Sequence, residues 1–145
     1  MHDELLRSIH LAFPDDGVPP RPVTGHRCFE CDEVDALLGG RTWTDVVDNF
    51  PDYCFDAFPL LTPVAQIYYL PAYMIIALTT DWDIPGISIE SALSDGRLRP
   101  EAYLAMQQRV IWAWLQAWWR LYHEGEEADP KLFSAWGGQR SSDTI

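Results

Sequence analysis

The amino-acid sequence predicts an all-α protein: a compact single-domain helical bundle with two long apolar helices, at about 63–78 and 100–124, and several short helices. Apolar residues recur at helical spacing in several segments, and prolines and glycines stand where helices would begin and end. No segment of the sequence shows a convincing alternation of apolar and polar residues, which is the pattern of a strand. With 145 residues, 48% of them hydrophobic, the chain is long enough for one domain with its own core.

The short helices are predicted mainly from the first half of the chain. Leu5, Ile9 and Phe13 recur at helical spacing and predict a helix over 3–13. Prolines and glycines crowd residues 14–27, which predicts a loop. Further short helices are predicted over 31–38, 42–49, 52–58 and 88–93.

The first long helix has a clear start signal. Thr62 supplies a capping hydroxyl and Pro63 suits the first helical position, so a helix is predicted from there to about residue 78. Pro71 lies inside it and is expected to kink or split it. No residue between Ala57 and Thr80 is charged, but the prolines inside this stretch and the aspartates beside it favour a buried core helix over a membrane span.

The second long helix is predicted from Pro100 to about residue 124. Its apolar side chains share one broad face, and polar side chains mark the opposite face. Residues 137–145 show no core pattern. The predicted organisation is therefore a single helical domain over 1–136 followed by a flexible C-terminal tail over 137–145.

The charge of the chain narrows the range of partners. Ten basic residues face 22 acidic ones, so the formal net charge is -12. Such a field repels nucleic acids and anionic membranes and attracts a cationic partner, so a basic protein is the expected partner. The chain begins Met1-His2-Asp3-Glu4, without the basic and apolar regions of a secretory signal, and its odd number of cysteines does not suit a disulfide framework. The expected compartment is the cytoplasm.

The sharpest local motif is a Cys-x-x-Cys pair. Cys28 and Cys31 could hold one zinc ion, with His26 as a third ligand. A fourth ligand could come from Cys54, His10 or His123. The favoured alternative is structural: both cysteines act as small apolar residues that tuck the start of a helix into the core. A redox role is disfavoured, because the carboxylates nearby oppose thiolate formation.

Carboxylates concentrate between residues 30 and 56, where Arg41 alone opposes them in the sequence. They are Glu30, Asp32, Glu33, Asp35, Asp45, Asp48, Asp52 and Asp56. Spacings of three and four place several of them on shared helix faces, where like charges cost roughly 0.2–0.5 kcal/mol per pair. A docking surface for a basic protein is one interpretation of the cluster, and a solvated face of an acidic protein is the other.

Two other pairs of residues are candidates for function. Trp112 and Trp119 border the polar face of the second long helix and are predicted to anchor a partner, unless a neighbouring helix covers them. Asp81 and Asp83 follow the first long helix and could bind a cation or act as an acid–base pair, although helix capping also explains them. The sequence carries no nucleophile elbow, zinc-protease motif, phosphate loop or dinucleotide fingerprint.

Several short motifs follow one another along the chain. The first is H-x-C-x-E-C-x-E, formed by His26, Cys28, Glu30, Cys31 and Glu33. It is followed by Gly40 and Trp43, by Leu61-Thr62-Pro63, and by Y-Y-L-P-A-Y over 68–73. This combination resembles a family of small uncharacterised bacterial proteins, a domain of unknown function. The resemblance implies a bacterial source and a shared fold, and it carries no activity and no site residues.

These observations lead to three functional hypotheses. The preferred one is an acidic protein-binding module, most concretely an immunity or antitoxin-type inhibitor that occludes a basic bacterial toxin. The second is a small zinc-binding protein or enzyme that uses His26, Cys28 and Cys31. The third is an adaptor subunit of a bacterial defence or secretion complex. Binding is favoured over catalysis overall, because the sequence carries none of the catalytic motifs searched for.

Overall fold

A computed structural model of the chain describes residues 2–49, 54 and 56–143, and these residues form an all-α structure. Within these ranges the seven α-helices are α1 (Asp3–Ala12), α2 (Phe29–Leu38), α3 (Trp43–Asp48), α4 (Pro63–Thr79), α5 (Ile84–Ser94), α6 (Ala105–Tyr122) and α7 (Pro130–Asp143). Two 3₁₀ turns, Phe58–Leu60 and Pro100–Ala102, precede α4 and α6. An isolated bridge joins Thr24 to Leu61, and no strand occurs among the described residues. The predicted all-α class is confirmed.

The short helices begin at side chains that cap them. Cys28 Sγ accepts the N–H of Cys31 at the start of α2, at 3.2 Å. Thr42 Oγ1 accepts the N–H of Asp45 at the start of α3, at 3.1 Å. α5 begins four residues before the predicted 88–93 segment. Pro85 does not prevent this early start, because it lies in the first turn, where the missing N–H of proline costs nothing. Most of the helix predicted over 52–58 lies outside the described residues.

α4 is the central helix of the core. Thr62 Oγ1 accepts the N–H three residues on at 3.2 Å, and Pro63 begins the helix as predicted. α4 packs against α3 and α5, and most of its side chains are buried. The helix continues through Pro71 and is not split there. Because proline has no N–H to donate to the carbonyl of Ile67, that oxygen accepts the Tyr103 hydroxyl instead, at 3.4 Å.

The tyrosines of α4 fasten loops to the core. The Tyr68 hydroxyl accepts the N–H of Trp43 at 3.0 Å and donates to the carbonyl of Asp15. The buried Tyr73 hydroxyl donates to the carbonyl of Cys54 at 2.8 Å. Burial raises the pKa of both phenols, so both stay protonated and able to donate at neutral pH. The Y-Y-L-P-A-Y motif therefore serves to hold three other segments of the chain in place.

Tyr69 performs the same task for the connection between α2 and α3. Its hydroxyl lies 2.8 Å from the carbonyl oxygens of both Leu38 and Arg41, and its ring is fully buried. Burial raises the pKa of Tyr69 well above its usual range. The two carbonyls flank a Gly-Gly turn in which Gly40 has a φ of 79°, a conformation that other residues rarely adopt. Tyr69 therefore sets where α3 starts relative to α2.

α6 begins later than predicted. Pro100 opens a 3₁₀ turn, the backbone at Tyr103 and Leu104 is extended, and the α-helix starts at Ala105. The Leu104 N–H donates to Gln107 Oε1 at 3.0 Å, which satisfies a backbone donor at the start of the helix. A proline at a first helical position is equally compatible with a 3₁₀ turn, so the residue type alone did not locate this boundary.

The finer prediction of two long apolar helices is not supported. α6 is amphipathic: it buries Ile111, Trp114 and Leu115 and exposes polar side chains along its other face. α4 is buried, but its three tyrosines and Gln66 carry polar atoms that hydrogen-bond to other segments. Over the described residues, no helix is both long enough and apolar enough to cross a membrane.

α7 packs on α6 and α5 and crosses the predicted end of the domain at residue 136. Leu132 and Trp136 are buried, and the helix continues to Asp143 through part of the segment predicted as a tail. Asp129 Oδ1 accepts the N–H of Lys131 at 3.0 Å at the start of the helix. Flexibility over 137–145 stays a prediction, and residues 144–145 lie outside the described residues.

Candidate functional site

The Cys-x-x-Cys motif caps a helix in this structure. Cys28 is exposed and its Sγ accepts the Cys31 N–H, whereas Cys31 is fully buried. Hydrogen bonding to the Cys28 thiol, followed by burial, raises the pKa of the Cys31 thiol, which disfavours the thiolate that a metal or a redox reaction needs. No group of three or more His, Cys, Asp or Glu side chains within residues 2–49, 54 and 56–143 is arranged to hold a metal ion. The zinc site predicted at His26, Cys28 and Cys31 is therefore not formed there.

The three candidates for a fourth ligand have other environments. Cys54 is buried, and burial together with the charge of Asp56 raises the pKa of its thiol to about 11. The ring of His10 lies against Trp43, with 5.1 Å between the ring centroids. His123 hydrogen-bonds to two glutamates at the end of α6.

Asp35 has a structural role, and its assignment as a partner-binding carboxylate stays a prediction. Its Oδ2 accepts the Arg21 guanidinium at 3.0 Å, and its Oδ1 accepts the N–H of Val23 at 2.7 Å. Arg21 also donates to the carbonyl of Asp35 at 3.3 Å. These contacts fasten the loop over 14–27 to α2. Arg21 lies outside the acidic segment over 30–56. The sequence therefore did not indicate that a second cation, besides Arg41, pairs with a carboxylate of this segment.

The rest of the acidic segment divides into paired and exposed carboxylates. Asp45 accepts the Asn49 amide at 3.0 Å and lies 3.7 Å from Arg41 Nε, so it is partly neutralised. Glu33 is half-buried. The exposed carboxylates are Glu30, Asp32, Asp48 and Asp56. The prediction for Asp52 lies outside the described residues.

Phe29 is an exposed aromatic residue that the sequence did not single out. It is the first residue of α2 and is 78% exposed, directly beside Glu30. We call Phe29, Glu30, Asp32 and Glu33 the α2 acidic surface. The helix was predicted to begin two residues later, at Cys31, so Phe29 belonged neither to that helix nor to the predicted loop over 14–27. The cap at Cys28 was the signal that places it on the helix.

Trp112 and Trp119 are covered by α7, which corrects their prediction as exposed anchors. Both are half-buried, and the ring of Phe133 packs edge-on against them, with centroid distances of 5.0 and 5.3 Å. A Cβ at Gly137 would lie 2.9 Å from the Trp112 ring, so a glycine there allows α7 to approach closely. The ring of His123 also stacks on Trp119, with 4.0 Å between the ring centroids.

His123 follows α6 directly and contacts two carboxylates, of which Glu90 lies on α5 and Glu126 lies in the segment after α6. Its Nε2 lies 2.7 Å from Glu90 Oε1, and its Nδ1 lies 2.9 Å from Glu126 Oε2. Glu90 Oε1 also accepts the indole N–H of Trp118 at 3.0 Å. Burial lowers the pKa of His123, but the hydrogen bonds to Glu90 and Glu126 and their negative charges outweigh it and raise the pKa above its usual value. The arrangement stabilises an imidazolium and does not make a free general base.

This arrangement predicts a pH dependence of stability. The pKa of His123 is higher in the folded state than in the unfolded state. Its contribution to the free energy of unfolding is therefore fully present below the ordinary histidine pKa of about 6.5, and it is lost as the pH rises through the raised pKa of the folded state. We expect the free energy of unfolding to fall more between about pH 6 and about pH 8.5 in the wild type than in His123→Gln. Urea unfolding at the two pH values measures this difference. Equal slopes in both proteins would contradict the assignment.

At least two cavities lie against α6. The larger has a volume of about 490 Å³ and lies between α1 and α6. It is lined by residues of both charges, including Glu4, Arg109 and Arg120. The smaller, of about 270 Å³, lies where α4 ends and α5 begins and is lined by aromatic rings and two aspartates. Asp81 and Asp83 were predicted as candidate residues, but the sequence did not indicate that they lie close to the end of α6.

Comparisons of the chain with protein-family models, curated proteins and solved structures find no match.

Proposed function

We propose that this chain is an acidic binding module for a basic protein, most concretely a cytoplasmic immunity or antitoxin-type inhibitor that occludes a basic bacterial toxin. The observation that carries the proposal is the α2 acidic surface, where an aromatic side chain 78% exposed stands beside several carboxylates. Aromatic residues are enriched in the cores of protein interfaces, and a rim of charge around them selects the partner. The surface has the composition of such a site.

The charge of the whole chain supports the same proposal. With a net charge of -12, the protein attracts a basic partner over distances of about 10 Å at ordinary ionic strength. Arg21, Arg41 and Arg97 lie in local ion pairs with Asp35, Asp45 and Asp95, so these cations do not oppose the exposed carboxylates. Asp48 and Asp56 add exposed negative charge beyond α2.

The proposed mechanism is occlusion, and it needs no reaction at the surface. Phe29 would enter an apolar recess of the partner, while Glu30 and Asp32 pair with the basic side chains around it. A toxin that acts on nucleic acid carries such basic side chains at its active site, because phosphate binding requires them. Covering them would block access of the substrate.

The proposal is tested by affinity capture from the native host with a matched pair of variants. One variant reverses the surface (E30K/D32K/E33K). The control makes the same change of charge at exposed glutamates elsewhere (E101K/E124K/E127K). We expect wild type and control to recover the same basic protein and the surface variant to lose it. Equal recovery by the two variants, or recovery of no basic protein by any of them, would contradict the proposal.

Replacing the aromatic side chain tests the anchor separately from the charge. Phe29→Ser is expected to weaken binding of the captured partner about tenfold or more. The free energy of unfolding should change by less than about 0.5 kcal/mol, because the ring is mostly exposed. Calorimetric titration gives the affinity, and urea unfolding gives the stability. Unchanged affinity would show that charge alone carries the contact and would remove Phe29 from the proposed site.

A further inference from the structure

The cavity at the junction of α4 and α5 combines aromatic walls with negative charge. It has a volume of about 270 Å³. Its aromatic lining comes from Trp82, Trp118 and Tyr122, and its carboxylates come from Asp81 and Asp83. Trp82 and both aspartates lie on the short connection between the helices, and the other two rings lie on α6.

The two carboxylates are not used by the fold. Asp83 directly precedes α5, yet its side chain makes no capping hydrogen bond. No residue in the described part of the chain donates a hydrogen bond to the side-chain carboxylate of Asp81 or Asp83 or forms an ion pair with either of them, and both residues are exposed. The backbone carbonyl of Asp83 accepts the N–H of Ile87 at 3.0 Å. Helix capping, the simpler explanation from the sequence, therefore does not account for their side chains. Among the described lining residues there is no Lys or Arg, and His2 is the sole basic one.

The aromatic wall is fixed in position by its neighbours. Trp118 stacks on Trp114 and on Tyr122, with centroid distances of 5.7 and 4.9 Å and interplanar angles of 6° and 9°. Its indole N–H donates to Glu90 at 3.0 Å. Gly86 of α5 lies against the same ring. Tyr122 is 43% exposed, so the aromatic wall is held in place at Trp118 and is open to solvent at Tyr122.

We infer that this cavity binds a small quaternary ammonium cation. The carboxylates exclude anions and attract cations. Tyr122 and Trp82 supply the aromatic faces that stabilise a cation carrying apolar methyl groups, because both faces of Trp118 are covered by Trp114 and Tyr122. A small metal ion does not suit this lining, because no group of three or more His, Cys, Asp or Glu side chains in the described part of the chain, Asp81 and Asp83 included, is arranged to hold one. A volume of about 270 Å³ is large enough to admit a quaternary ammonium cation.

The inference is tested by titrating ¹⁵N-labelled protein with choline, at constant ionic strength maintained with sodium chloride. We expect choline to shift the indole N–H resonances of Trp82 and Trp118, with a dissociation constant on the order of millimolar. The uncharged isostere 3,3-dimethylbutan-1-ol should bind at least about fivefold more weakly. No shift at about 50 mM choline, or equal binding of the neutral isostere, would overturn the inference.

Three variants and one control locate the site. Tyr122→Leu and the double variant D81N/D83N should each raise the dissociation constant of choline at least about fivefold. Tyr122→Phe keeps an aromatic face and should bind within about twofold of wild type. Glu101→Gln removes a carboxylate near the opposite end of α6 and should leave binding unchanged. Equal affinity in all four would place choline elsewhere and overturn the inference, and the remaining amide resonances report whether each variant is folded.

Discussion

Replacing Gly86 by alanine is expected to lower the free energy of unfolding by about 2 kcal/mol. A Cβ at this position of α5 would lie 2.6 Å from Trp118 Cζ2 and closer still to two neighbouring ring atoms. The indole cannot move aside, because it stacks between Trp114 and Tyr122 and donates to Glu90. Overpacking costs about 3 kcal/mol at such a site, and the higher helix propensity of alanine offsets about 1 kcal/mol.

Gly25→Ala is the matched control for this substitution. No atom lies within 4 Å of a Cβ at Gly25, so its free energy of unfolding should stay within about 0.5 kcal/mol of wild type. Urea unfolding of both variants measures the difference. If Gly86→Ala were as stable as the control, Trp118 would have to be more mobile than its contacts indicate, and the rigid wall of the α4–α5 cavity would be contradicted.

Tyr69→Phe is expected to cost about 2 kcal/mol. The lost hydroxyl lies 2.8 Å from the buried carbonyl of Leu38 and from the partly buried carbonyl of Arg41. Leu38 O still accepts the N–H of Arg41 at 3.1 Å, so the Arg41 carbonyl is the group that loses its donor. Leaving this partly buried acceptor without a donor costs more than a typical hydrogen bond contributes, which sets the size of the effect. Urea unfolding gives the value.

Tyr122→Phe is the control for the tyrosine substitution. Its hydroxyl has no hydrogen-bond partner in the described part of the chain, and the residue is 43% exposed, so removal should change stability by less than about 0.5 kcal/mol. Equal stability of the two variants would mean that the Gly39–Gly40 turn does not depend on Tyr69. The position of α2 on the core would then need another explanation.

The helices that begin at a strong capping signal could be predicted from the sequence. Thr42 and Thr62 both cap through their hydroxyls, at 3.1 and 3.2 Å, and the helices that follow begin where these residues predict. The start of α6 was missed because Pro100 is compatible with both a 3₁₀ turn and an α-helix. Such boundaries depend on local side-chain bonds, here those of Gln107, that the periodicity of apolar residues does not reveal.

The candidate sites depend on contacts between distant segments, so the sequence predicted them less well. Asp35 was assigned to a binding surface, but Arg21 and the backbone of Val23 use its carboxylate. Trp112 was assigned to an interface, but α7 covers it. Gly137, which allows this contact, lies in the segment that was predicted as a tail. The exposed carboxylates of α2 are where the sequence placed them, and whether they bind a partner stays a prediction.

The binding of a basic protein by the α2 acidic surface is tested most directly by the salt dependence of the association rate constant. Stopped-flow or surface-based kinetics with the captured partner would compare wild type with E30Q/D32N/E33Q. Raising sodium chloride from about 20 to about 300 mM should slow association of the wild type about tenfold or more, and that of the variant less than about threefold. The same salt dependence in both proteins would contradict the proposed site.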